Sequence, residues 1–154
     1  MRLTVLAAAV VAAAALAQTS GTGVGLILGE PTGVCLKSWL SGNSALTVGA
    51  AWAFQHEGNL FLYADYTLHS FNITDDEDFR NLAFYYGLGG KLSFEENKGD
   101  EEDKTIFGAR IPLGLMLPIG GAPVDLFVEG VPTIDLIPGT DFGFNGGIGG
   151  HIFF

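Results

Sequence analysis

The chain has 154 residues, a formal net charge of −10 and 23 glycines, and 48% of its residues are hydrophobic. So acidic a chain lacks the basic surface that neutralises phosphates, which argues against nucleic-acid binding. Its single cysteine, Cys35, cannot form an internal disulfide, so the fold does not depend on the cross-links common in small secreted domains. High apolar content also argues against disorder. The composition therefore favours a packed or membrane-embedded fold.

The chain begins with MRLTVLAAAVVAAAALAQ, in which one basic residue, Arg2, precedes an uncharged run from Leu3 to Ala17. Ala15-Leu16-Ala17 supplies the small residues of a signal-peptidase site. The run is shorter than the roughly 20 residues that a membrane-spanning helix needs. No cysteine directly follows it, which argues against lipoprotein processing. We therefore predict a cleaved signal peptide over residues 1–17 and one domain over residues 18–154.

Beyond the signal peptide, apolar residues alternate with the period of two that is typical of strands. Clusters of Gly, Pro, Asn and Asp separate the alternating segments. The eight predicted strands cover 23–29, 34–40, 45–54, 60–69, 82–94, 105–117, 124–138 and 142–154. In each strand one face is bulky and free of charge, whereas the other face carries glycine, alanine and the strand's charged residues.

This distribution decides between two all-β architectures. A soluble sandwich turns its polar face to water and buries its apolar face, but here the more polar face carries too few charges for a soluble surface. Small residues suit the interior of a narrow barrel, and lipid tolerates only closed sheets. We predict a closed antiparallel up-and-down transmembrane β-barrel of about eight strands, with the bulky face outward.

The last strand, GFNGGIGGHIFF, places Ile148, Ile152 and Phe154 on its apolar face. With the eight-strand pattern, this ending resembles the small outer-membrane barrels of the OmpA and OmpX type. The resemblance implies insertion as a monomer into the outer membrane of a Gram-negative bacterium, among lipid and lipopolysaccharide. It also implies that these three residues form a C-terminal signal for the barrel-assembly machinery. An ordinary buried final strand is the alternative interpretation.

The inward strand faces carry a set of charged residues that we expect to form a lumen network. An isolated buried charge is far more costly than a paired one. Arg110, between Gly108 and Gly114, is expected to reach Asp125 or Glu129 on the next strand. A filled lumen favours a structural role over a gated ion path. The predicted network consists of Lys37, Asp65, Lys91, Arg110, Asp125, Glu129 and Asp135.

No catalytic or metal-binding motif emerges. Asp65 and His69 share a strand face and are a candidate acid/base pair, but no serine lies at a recognisable motif spacing from them. His56 and His151 have no metal-ligand spacing, and the acidic segments 75–78 and 95–104 lack the calcium-loop pattern. We predict a non-enzymatic barrel without metal or cofactor and with a structural or surface-interaction role. The alternative is a lipid-modifying barrel enzyme or a transporter of small solutes or ions.

Two irregularities accompany the strand pattern. Pro112 and Pro132 fall inside predicted strands, where bulges or weakened pairing are expected. The connection 70–81 is long for the periplasmic side, so either one inner turn is long or the strand count is wrong by one.

Aromatic residues towards strand ends predict a membrane-interface girdle: Trp52, Phe54, Tyr66, Phe84, Tyr86 and Phe94.

Overall fold

The computed structural model describes residues 21–53, 59–95 and 103–154. The predicted signal peptide, Phe54, His56 and most of the acidic segment 95–104 lie outside these residues. The strands are β1 (Thr22–Glu30), β2 (Thr32–Trp39), β3 (Ser44–Ala53), β4 (Asn59–Ser70), β5 (Ala83–Glu95), β6 (Lys104–Arg110), β7 (Leu113–Pro118), β8 (Val124–Ile137) and β9 (Asp141–Phe153). Within the same ranges no helix has the length and hydropathy needed to cross a membrane.

The sheet closes on itself. Apart from β6 and β7, strands that follow each other in the chain pair antiparallel, and β9 pairs back with β1. β6 and β7 lie one after the other in a single position, where both pair with β5 on one side and β8 on the other. The described strands therefore occupy eight positions around a ring, and the predicted up-and-down barrel of eight strands is confirmed.

The interruption between β6 and β7 occurs at Pro112. Proline has no N–H for the sheet ladder, yet its carbonyl accepts a hydrogen bond from Gly87 N at 3.0 Å, and Ile111 N donates to Pro132 O at 2.9 Å. These bonds keep the chain against both neighbours. The expected weakening is confirmed at Pro112, whereas Pro132 stays in regular register with Phe144.

The two faces of the sheet differ as the alternation predicts. On the outer face Leu26 and Leu88 are 61% and 65% exposed, whereas on the inner face Asp65 and Arg110 are each 3% exposed. A water-soluble protein has the opposite distribution, with large apolar side chains inside and charges outside. The barrel thus encloses its polar residues and presents an apolar band to its surroundings.

Outward aromatic residues lie towards both ends of the barrel. Trp52 and Phe94 share one level, because both are in register with Leu60. Phe84 and Tyr86 lie near the end that carries the termini, in register with Ser70 and Leu68. Tyr66 lies deeper, between these two levels.

The long connection lies between β4 and β5, at the same end of the barrel as both termini. Its backbone is held by a hydrogen bond from Leu82 N to Phe79 O at 2.9 Å. Phe71 lies at the start of this connection, and the centroid of its ring is 6.2 Å from the ring centroids of both Trp39 and His69. Since β4 and β5 pair directly, the strand count stands and the alternative of one long turn is correct.

Candidate functional site

The seven predicted lumen charges all lie on the inner face of the barrel, where they form three groups of contacts. Five are buried, namely Lys37, Asp65, Lys91, Arg110 and Asp125, and Glu129 and Asp135 are half-buried. Strand alternation alone places them inside, because successive residues of a strand point to opposite faces.

The first group, the arginine cluster, surrounds Arg110. Its Nε lies 3.0 Å from Asp65 Oδ1, and its Nη2 lies 3.7 Å from Glu129 Oε1. The guanidinium carbon lies 4.0 Å from the centroid of the Tyr63 ring, which is cation–π geometry. Tyr85 OH donates a hydrogen bond to Glu129 Oε2 at 2.8 Å. One cation therefore joins carboxylates from β4 and β8 across the lumen.

These partners differ in part from the predicted ones. Arg110 contacts Glu129, but Asp125 contacts other residues, and Asp65 takes its place. The reason is the register: Asp65 and Arg110 are both paired with Gly89 of β5. Glycine has no side chain to separate them, so the guanidinium reaches across an entire strand. A prediction restricted to adjacent strands misses this contact.

The second group, the lysine cluster, lies nearer the termini. Lys37 Nζ lies 3.7 Å from Asp125 Oδ2 and donates to His69 Nε2 at 3.3 Å and to Met116 Sδ at 3.1 Å. The ammonium also lies 4.6 Å from the centroid of the Trp39 ring. The lysine is thus surrounded by one carboxylate, one imidazole, one thioether and an aromatic face.

Asp125 links this lysine to a chain of polar groups. Its Oδ1 is hydrogen-bonded to His151 Nδ1 at 2.6 Å, and His151 Nε2 lies 3.4 Å from Cys35 Sγ. Cys35 and His151 are both paired with Gly25 of β1, where a Cβ would collide with both side chains. Glycine again permits contact between residues two strands apart.

The order thiol, imidazole, carboxylate is that of a nucleophilic catalytic set. The surroundings do not provide for a substrate, however. Cys35 is 5% exposed, and the adjoining lumen cavity has about 30 Å³, enough for about two water molecules. The arrangement is better described as a buried hydrogen-bond chain that cross-links β2, β8 and β9.

The third group is the ion pair of Lys91 with Asp135, at the end of the lumen away from the termini. Both residues are paired with Gly108 of β6. A register shift next to Gly108 marks a β-bulge at this level. All three groups therefore contain a contact that passes over a glycine in the intervening strand.

Other predicted candidates are not brought together. Asp65 belongs to the arginine cluster and His69 to the lysine cluster, so the suggested acid/base pair is divided between them. Within residues 21–53, 59–95 and 103–154, no three His, Cys, Asp or Glu side chains are arranged to hold a metal ion. His151, Tyr85 and Met116 also belong to the network and were not predicted as members, although strand alternation places all three on the inner face.

The C-terminal residues lie on the outer face. Ile148, Ile152 and Phe154 are all exposed, whereas Phe153 is buried in the lumen. Phe154 N donates to Thr22 O at 3.0 Å, so the end of the chain is attached to β1. Their role as an assembly signal stays a prediction.

No known family model and no curated protein sequence matches the chain. Among solved structures, the crystal structure of the N-terminal β-barrel domain of Pseudomonas aeruginosa OprF has a similar fold. The TM-score is 0.66, and the match covers 88% of this chain and 98% of that chain. The chain has the fold of an OmpA-type β-barrel. The identity is only 12%, so the likeness concerns the fold, and the barrel's lumen contacts must be interpreted on their own.

Proposed function

We propose that the protein is a non-enzymatic integral barrel of the outer membrane of a Gram-negative bacterium, with a structural or surface-interaction role. The observation that carries the proposal is the reversed polarity of the closed sheet. Its outer face is a continuous band of large apolar side chains, and the seven lumen charges lie inside. Lipid is the solvent that suits such a face, and closure of the ring gives each strand position a paired neighbour on both sides.

The filled lumen supports a structural role over conduction. The arginine and lysine clusters each join strands on opposite sides of the barrel, and the cavity beside them has about 30 Å³. Buried charges in paired arrangements hold one specific geometry, because separating a pair leaves a charge without compensation. The clusters would thus fix the barrel's shape while its outer face meets lipid.

Export and assembly follow from features at the two ends of the chain. A signal peptide over residues 1–17 would direct the chain out of the cytoplasm. The outward residues Ile148, Ile152 and Phe154 would be recognised by the barrel-assembly machinery. The inserted monomer would then lie among lipid and lipopolysaccharide.

Membrane fractionation with a heat-modifiability gel tests this proposal. The protein should sediment with outer membranes, and the unboiled sample should migrate differently from the boiled one, because a closed barrel resists unfolding in detergent. A soluble periplasmic protein serves as the fractionation control. Recovery in the soluble fraction, with identical migration before and after boiling, would contradict the proposal.

A transporter of small solutes or ions is the second candidate, since charged groups lie at three levels of the lumen. Conductance measured in planar bilayers separates the two roles. Absence of conductance through the wild-type protein supports the structural role, whereas steady conductance through the wild-type protein supports transport.

A further inference from the structure

The hairpin of β8 and β9 extends beyond its neighbour β1. β9 pairs with β1 from Phe153 to Gly146, which is opposite Glu30. Its pairing with β8 continues further, to Asp141 opposite Asp135. Residues 141–145 therefore have a strand on one side only, within the part of the chain that the structure describes. We call this segment the open edge.

The register shows which backbone groups the open edge presents. Phe154 N donates to Thr22 O, on the β1 side. β9 pairs with both neighbours without a register shift, so every second residue counted back from Phe154 turns its N–H and C=O to that side. Phe144 and Phe142 accordingly direct these groups outward from the open edge.

One of these groups already has a partner. Phe142 N donates to the carboxylate of its neighbour Asp141 at 3.0 Å. The N–H and C=O of Phe144 and the C=O of Phe142 face the open edge. Natural edge strands are usually blunted by charges, prolines or bulges. Here Asp141 protects only one position, at the tip.

The side chains at the open edge are apolar and uncovered. Phe142 and Phe144 are 78% and 71% exposed. A strand of 13 residues, tilted by about 40°, rises about 33 Å, which exceeds the apolar band of about 25 Å. The excess of about 8 Å corresponds to about three residues of the tilted strand, so Asp141 to Gly143 extend beyond the band and Phe144 lies at its boundary, on the side away from the termini. Because hydrocarbon does not tolerate an unpaired edge, we place the open edge in the interfacial region and above it.

The charge beside the open edge is negative. Asp141 lies at its tip and Glu30 at its base, where Glu30 Oε1 is buried without a hydrogen-bond partner. Neither carboxylate forms an ion pair with the described residues, whereas Asp135 opposite Asp141 is paired with Lys91. A ligand carrying basic residues would complement both ends.

We propose that the open edge binds an extended segment of a partner protein as an additional strand antiparallel to β9. The segment would have apolar side chains at every second position and Lys or Arg at its ends. Its backbone would pair with Phe144 and Phe142, as in other cases of strand addition to a sheet edge. This inference rests on the proposed membrane insertion, which places the open edge outside the hydrocarbon region.

A second copy of the chain does not fit the same edge. Two copies inserted in the same direction are related by rotation about the membrane normal. Their β9 strands, each tilted by about 40°, would then cross at about 80° and cannot form a ladder. A flexible segment of a partner protein is not fixed at this angle and can align with β9.

Fluorescence anisotropy with the detergent-refolded protein tests the proposal. The probe is a fluorescein-labelled peptide, Lys-Val-Thr-Val-Thr-Val-Thr-Val-Lys. Two control peptides replace both lysines by glutamate or carry N-methyl groups on the valines. The Lys-flanked peptide should bind saturably. Each control should bind at least about tenfold more weakly, because it lacks either the charge or the backbone donors.

Two variants of one residue separate backbone from side chain. F144P removes an N–H that faces the open edge and leaves the bonds to β8, a position where proline is tolerated. It should weaken peptide binding by at least about tenfold. F144T keeps the N–H, removes the ring and should retain affinity within about threefold.

Several results would overturn the inference: no saturable binding, equal binding of the N-methylated peptide, wild-type affinity in F144P, or equal losses in F144P and F144T. Heat-modifiability of each sample keeps the two proposals apart. A heat-modifiable barrel that does not bind the peptide refutes only the proposal that the open edge binds a partner strand. Binding without any heat-dependent shift refutes the membrane barrel instead.

Discussion

Replacement of Arg110 by alanine should severely destabilise the barrel. The side chain is 3% exposed and compensates Asp65, which is also 3% exposed, as well as Glu129. Glu129 keeps its hydrogen bond from Tyr85, but Asp65 is left as a buried carboxylate without a cation. Breaking a buried pair in this way costs about 3–5 kcal/mol, so we expect a loss of that size in the free energy of unfolding.

Urea unfolding of the refolded protein in micelles measures this loss. The double variant Arg110→Ala/Asp65→Ala should recover most of it, because both members of the pair are then absent. Arg80→Ala is the matched control. Arg80 pairs with Glu77 at 3.9 Å, and these side chains are 67% and 90% exposed. Such exposed pairs contribute about 0–1 kcal/mol.

Unfolding of Arg110→Ala at the same urea concentration as Arg80→Ala would refute the expected loss. That result would mean that water reaches the lumen and screens Asp65. Equal losses in the single and double variants would also contradict it, since the loss would then come from packing against Tyr63 and not from an uncompensated charge.

Three further outcomes are expected. Gly25→Ala should lower the free energy of unfolding by about 1–3 kcal/mol through overpacking, because its Cβ would collide with two lumen side chains. The control is Gly42→Ala, whose Cβ would meet open space. Equal stability of the two variants in urea unfolding would refute the packed contact at Gly25. Deletion of Phe154 should reduce outer-membrane assembly, measured by fractionation, more than the stability of refolded protein; equal losses would indicate ordinary packing. The intact mass of the protein recovered from the envelope should correspond to a chain that begins at Gln18. A mass that includes Met1 would refute export with cleavage of a signal peptide.

The alternation of residues along each strand was enough to predict the barrel and the direction of each side chain. This is a local property, since a strand turns successive residues to opposite faces whatever its neighbours are. It placed Lys37, Asp65 and Arg110 in the lumen and Ile152 outside. Pro112 was also visible in the sequence as a break, because a missing N–H has the same consequence in any sheet.

Only the tertiary structure determined which of these residues meet. Arg110 reaches Asp65, and Cys35 reaches His151, because the register of three successive strands places a glycine between the two partners. The second of these contacts also requires closure, which brings β9 beside β1. The open edge likewise depends on where β1 ends relative to β9. Register and closure are set by all the strands together, so the pattern of any single strand does not contain them.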